Sequence, residues 1–140
     1  MAEPVNLDDK CVLVTGGSMG IGLAAAEASL RAGARVGIFA RTATAIDEAV
    51  DKLQADGLSD VRGIQGDVTQ PGDVERALDE LESQFGPVSG VIHAAGVYGP
   101  IGPITDVDPE EWLDAVRVNL FGSFVVVRQA ARRLAAHGGG

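Results

Sequence analysis

Two hydrophobic rhythms take turns along the chain. Short apolar runs, Cys11 to Thr15 (CVLVT), Arg35 to Ala40 (RVGIFA), Val61 to Gln65 (VRGIQ) and Val88 to Ala94 (VSGVIHA), read as strands. The first and last are apolar almost without interruption, as strands buried on both faces are, so both are expected inside the sheet. Helical patterns fill the intervals. They are Gly20 to Ala32, ended by Gly33; Ala43 to Ala55, ended by Gly57; and Pro71 to Phe85, opened by Gln70-Pro71 and closed by Gly86-Pro87. A fourth helix opens at Asp108, with Asp as N-cap, Pro109 in the first helical position and Glu110-Glu111 in the positive first turn; the pattern allows it to run to about Ala136. Its middle, Leu120 to Val127, is apolar on every side, so one face covers the sheet and the other needs a further partner.

Strand alternating with helix predicts an α/β fold with a parallel sheet covered on both faces. At 140 residues the chain is one domain, residues 1–140. Twenty Asp plus Glu against 11 Lys plus Arg give a net charge of −9, which disfavours nucleic acid and anionic membrane surfaces as partners. An anionic ligand must therefore be held locally. The one cysteine and an amino terminus (MAEPVNLDDK) without a basic start or an apolar run point to a reducing, cytoplasmic setting. The stretch Gly96 to Pro103 reads as a long loop after the fourth strand.

The first strand leads into Thr15-Gly16-Gly17-Ser18-Met19-Gly20-Ile21-Gly22 and then a helix. Glycines in that context let backbone N–H groups approach a pyrophosphate at the positive end of the helix, although they also serve tight strand-to-helix packing. The spacing T-G-x-x-x-G-x-G resembles that of the short-chain dehydrogenase/reductase family. Three more stretches agree in order and distance: Asp67-Val68, His93-Ala94-Ala95-Gly96 and Val118-Asn119-Leu120. Together they span essentially the whole chain.

The resemblance implies a Rossmann-like, doubly wound sheet, here truncated to about four strands in the order 3-2-1-4, that binds a nicotinamide dinucleotide. It places Gly16, Ser18, Met19, Gly20, Ile21 and Gly22 along the adenosine ribose and pyrophosphate, Asp67 at the adenine amino group and Val68 beside the ring. Ala94, Ala95 and Gly96 would lie along the nicotinamide side. An acid just after the second strand, about 20 residues past the glycines, selects NAD. That place is Ala40, followed by Arg41, whose guanidinium suits a 2′-phosphate; NADP is favoured and NAD stays open. Met19 stands where NADP-binding members often carry a second basic residue.

The family's reaction is hydride transfer between the nicotinamide and a carbonyl or alcohol substrate. Asn119 corresponds to its catalytic asparagine, which interrupts regular helix bonding and helps hold a water in a proton relay. Its spacing from Trp112 and Val116 suits an inward position. His93 departs from the family's Asn-Asn-Ala-Gly and reads as a brace between the strand end and Asn119's helix rather than a general base or metal ligand; no metal is expected. Cys11 reads as a buried strand residue, and Asp67 alone reads equally well as a turn residue.

The serine and the Tyr-x-x-x-Lys of the family are not in this sequence; Tyr98 has no lysine after it. The chain is therefore expected to be the amino-terminal portion of a reductase, inactive alone. Its fourth strand would be an exposed edge, the isolated chain marginally stable, and the full-length form a homo-oligomer. A non-catalytic dinucleotide-binding or dimerisation module is the alternative. A methyltransferase-type Rossmann protein fits the Asn119 and His-Ala-Ala-Gly stretches less well.

Overall fold

The computed structural model describes residues 5–140; residues 1–4, part of the amino terminus read above, lie outside it. Four parallel strands, β1 (Cys11–Thr15), β2 (Arg35–Ala40), β3 (Val61–Gln65) and β4 (Gly90–His93), form one sheet in the order β3-β2-β1-β4. Helices α1 (Gly20–Arg31), α2 (Ala43–Ala55) and α3 (Pro71–Phe85) fill the crossovers. The expected order and elements are thus present, with two shortenings: β4 runs Gly90–His93 rather than Val88 to Ala94, and α1 ends at Arg31 rather than Ala32.

Strand alternation sorts the two layers. Val12, Val14, Val36 and Ile38 point to one face and pack with Ala26 and Leu30 of α1 and Ala49 and Leu53 of α2. Cys11, Leu13, Phe39 and Ile64 point to the other and meet Val74, Ala77, Leu78 and Leu81 of α3, spaced to share one helix face. Burial pushes the Cys11 thiol up to about 11, slightly offset by Arg35 and reinforced by Glu82, so at neutral pH it is an inert core group.

β1 is fully buried, as expected, and β4 lies at the sheet edge: its apolar run suggests an interior place, the resemblance an exposed edge, and the structure has the edge. All four residues of β4 are only half-buried, because it pairs with β1 on one side and with nothing on the other. The sequence pattern reports the apolar character of β4 but not the identity of its neighbours.

The long fourth helix is two helices joined by an irregular turn. Asp108 caps α4 (Pro109–Val116) by accepting from the Glu110 and Glu111 amides at 2.9 and 3.1 Å, as its sequence foretold. A π-helical turn, Arg117–Phe121, follows and leads into α5 (Gly122–Ala136). There the Gly122 N–H reaches back to the Arg117 carbonyl, one residue further than in an α-helix. Val125 and Val126 of α5 enter the α3 core, while Leu120, Phe121, Phe124 and Val127 face outward. Among the described residues no helix is long and apolar enough to cross a membrane.

One ion cluster fastens α5 to α3. Arg133 donates to Glu82 at 2.6 Å, Asp79 at 2.8 Å and Glu75 at 3.1 Å, and His137 donates to Glu82 at 2.7 Å. Glu82 also accepts from the Val88 amide at the entry to β4.

Candidate functional site: a cleft at the carboxyl ends of the strands

The carboxyl ends of β1, β2 and β4 and the start of α1 enclose a cleft of about 410 Å³. This is the size of ordinary small-molecule sites, at the place where open α/β sheets bind ligands. Its floor is the glycine-rich turn. Gly16 has φ +66° and lies so close to the end of β4 that a Cβ on it would stand 2.7 Å from the Ala95 nitrogen. Its N–H donates to the Phe39 carbonyl of β2 at 2.8 Å, which pins the turn between two strands. Gly16 therefore serves internal packing while it also lines the cleft.

Gly20 is the position open to a ligand. It has φ +54°, and a Cβ built on it meets nothing within 4 Å. Met19, just before α1, gives the helix no side-chain cap, so the first-turn N–H groups keep their hydrogen-bonding capacity beside the cleft. Unspent amides at a positive helix end, with open space in front of them, fit an anionic group such as a pyrophosphate.

Of the predicted residues, Gly16, Ser18, Met19, Gly20, Ile21, Gly22, Arg41, Val68, Ala94, Ala95 and Gly96 all line this cleft. Phe39, Thr42 and Ala45 line it too and were not predicted, since nothing in their local sequence marks them; Val118, from the Val118-Asn119-Leu120 stretch, joins them. Arg41 stands at the rim, and its guanidinium makes no hydrogen bond or ion pair among the described residues; only its carbonyl is engaged, by Gln65.

Asp67 and Asn119 lie beside the cleft rather than in its lining. Asp67 borders a neighbouring depression shared with Arg41 and Arg76, and its Oδ1 accepts from the Thr69 N–H and hydroxyl, both at 2.8 Å. The turn role is thus real for one oxygen of Asp67. Asn119 and Trp112 are exposed and border a hollow with Tyr98, so the inward face expected for them is open in this chain. The Asn119 side chain is nevertheless held in place. Its Nδ2 donates to the Val97 carbonyl at 2.7 Å, and its Oδ1 accepts from the Val97 N–H at 2.8 Å.

His93 braces as expected. Its Nδ1 meets the buried Thr15 hydroxyl at 2.6 Å and its Nε2 meets the Ser123 hydroxyl at 2.9 Å, so both ring nitrogens have protein partners. Burial holds its pKa below the ordinary histidine range.

The short chain dehydrogenase family model matches residues 10–140. The chain belongs to that family. It is 38% identical over 134 residues to versicolorin reductase of Emericella nidulans, a match covering 95% of this chain and 50% of that protein. A short-chain dehydrogenase/reductase structure from Mycobacterium ulcerans superposes with a TM-score of 0.90 at 37% identity, covering 96% of this chain and 50% of the other. L-sorbose reductase of Gluconobacter frateurii, solved with NADPH and L-sorbose, superposes at 0.86 with 27% identity, covering 99% and 52%. The chain spans about half the length of each of these three relatives.

Proposed function

We propose that this chain is the dinucleotide-binding portion of an NADP-dependent oxidoreductase acting on a carbonyl or alcohol substrate. The carrying observation is the uncapped start of α1 facing open space at Gly20, with the unpaired Arg41 guanidinium at the same rim. Bound there, the nicotinamide cofactor supplies the hydride; the chain's part is to bind and orient it. The α1 amides would take the pyrophosphate and Arg41 the 2′-phosphate that separates NADP from NAD. Val68, Ala94, Ala95 and Gly96 would flank the rings, and Asp67, through its free Oδ2, the adenine amino edge. NADPH in the sorbose reductase complex supports this choice of cofactor.

Asn119 would help hold a water in a proton relay, as the family resemblance implies, while its side chain is fixed by Val97. The serine, tyrosine and lysine expected to move the proton are not among these 140 residues. A reducing, cytoplasmic setting accords with a single buried thiol.

Titration with NADPH and NADH tests the reading. NADPH is expected to bind more tightly, and Arg41→Ala to weaken NADPH by about 1–3 kcal/mol while leaving NADH nearly unchanged. Equal losses for the two cofactors would remove Arg41 from selectivity, and absence of NADPH binding would remove the site.

The outward stripe Leu120, Phe121, Phe124 and Val127 supports self-association of the full-length protein. Sedimentation of that protein is expected to give a homo-oligomer, and a monomer at micromolar concentration would overturn this part.

A further inference from the structure

Around Gly96 the polar contacts form a chain whose direction can be worked out atom by atom. A carbonyl cannot donate, so the 2.6 Å contact between Ser123 Oγ and the Asn119 carbonyl takes the only hydroxyl proton of Ser123. Ser123 Oγ can then only accept from His93, which puts a proton on His93 Nε2. On the other side, the fully buried Thr15 hydroxyl has two partners, the Ala95 N–H at 3.4 Å and His93 Nδ1 at 2.6 Å. An N–H can only donate, so Thr15 must give its proton to a bare Nδ1. A doubly protonated ring would leave that buried hydroxyl proton without an acceptor and would face only Thr15 and Ser123, neither of which is charged.

The sequence of donors is therefore Ala95 N–H to Thr15, Thr15 to His93, His93 to Ser123 and Ser123 to the Asn119 carbonyl. The Asn119 amide then closes on Val97. Ala95 and Val97, on either side of Gly96, are the two ends of one circuit, and the same segment walls the cleft against Gly16. We infer that His93, fixed in the neutral Nε2–H tautomer, is a positioning residue that couples the Ala94–Val97 wall of the cleft to the Asn119 carbonyl in the π turn. The depressed basicity of the ring is consistent with this. The role in cofactor binding rests on the reading of the cleft as a dinucleotide site; the circuit itself does not.

The test uses this chain with ¹⁵N-labelled histidine. Of its two histidines, His137 is identified by His137→Gln. At neutral pH the His93 ring is expected to show a protonated Nε2 and a bare Nδ1. Ser123→Ala should shift the ring toward a mixture of tautomers and move the Ala95 and Val97 amide signals. Ser123→Ala and His93→Asn should each weaken NADPH by about three- to ten-fold, the worth of one hydrogen bond. The double variant should lose no more than the worse single, since both interrupt the same circuit.

A proton on Nδ1, or a ring spectrum and Ala95 and Val97 signals indifferent to Ser123→Ala, would overturn the circuit even where NADPH binds. Additive losses would overturn the coupling to the cleft. If NADPH binds no form of the chain, the dinucleotide reading and His93's part in it fall, while the ring spectrum still decides the circuit.

Discussion

Gly22→Val is expected to cost the fold itself about 3 kcal/mol or more, the upper end of core overpacking and a large share of a typical domain's stability. The first atom of the new side chain would overlap the Gly16 carbonyl oxygen and lie 3.1 Å from the Gly17 Cα. The turn has no room to yield. Gly16 is bonded to Phe39 on one side and pressed on Ala95 on the other. Urea denaturation would show the loss, and a midpoint near that of the wild type would mean that the turn is looser than the structure describes. Gly20→Ala is the informative contrast. Its methyl meets no protein atom, so only the left-handed backbone penalty of about 1–2 kcal/mol applies to the fold. Yet the methyl enters the space in front of the α1 amides, and NADPH affinity should fall by about ten-fold, the worth of a charge-assisted hydrogen bond. Wild-type affinity in Gly20→Ala would show that close backbone approach there is not needed.

Arg133→Ala is expected to be the most damaging change on the helical side, at about 2–4 kcal/mol, because it removes one cation and leaves three carboxylates facing each other. Arg133 and Glu82 are both largely buried, so water replaces the lost partner poorly. The pH dependence follows from Glu82. Burial raises its pKa, but the Val88 amide, Arg133 and His137 together outweigh burial and hold it below the ordinary glutamate value. A carboxyl whose folded pKa is depressed adds stability that is fully present above its unfolded pKa and disappears as pH falls through the folded one. The gap between wild type and Arg133→Ala should therefore be widest at neutral pH and close in acid below the carboxylate range. Denaturation curves at several pH values would measure it, and a gap that stays constant into acid would place the cost in lost packing of the arginine stem rather than in charge.

Much of the architecture was legible because it is local. The bounds of β1, β2, β3, α2 and α3 follow from periodicity and from Gly and Pro punctuation, which act within a few residues. The Asp108 cap is equally local, and the structure confirms it. The glycine spacing, with three motifs in register, placed eleven predicted residues in one cleft. What the sequence left open has a common origin in side-chain contacts. The pattern allows one helix from Pro109 to about Ala136 and the resemblance implies an interruption at Asn119; the structure has the interruption, a π turn, and the Asn119 side chain pairs with Val97, 22 residues away. Asp67 reads both as an adenine contact and as a turn residue, and a threonine two residues on takes one of its oxygens.

The sequence by itself determined the alternation of strands and helices, the glycine turn between β1 and α1, and membership of a family with a nucleotide-binding sheet. These are carried by neighbours in the chain and by motif order. Only the tertiary structure decided that Asn119 closes on Val97, that Gly20 and not Gly16 is the open position, and that His93 carries its proton on Nε2. Each of these depends on contacts between distant segments: Thr15 and His93 are 78 residues apart, and His93 and Ser123 are 30. Hydrogen-bond direction follows from which atoms a fold brings together, and no spacing along a chain encodes that.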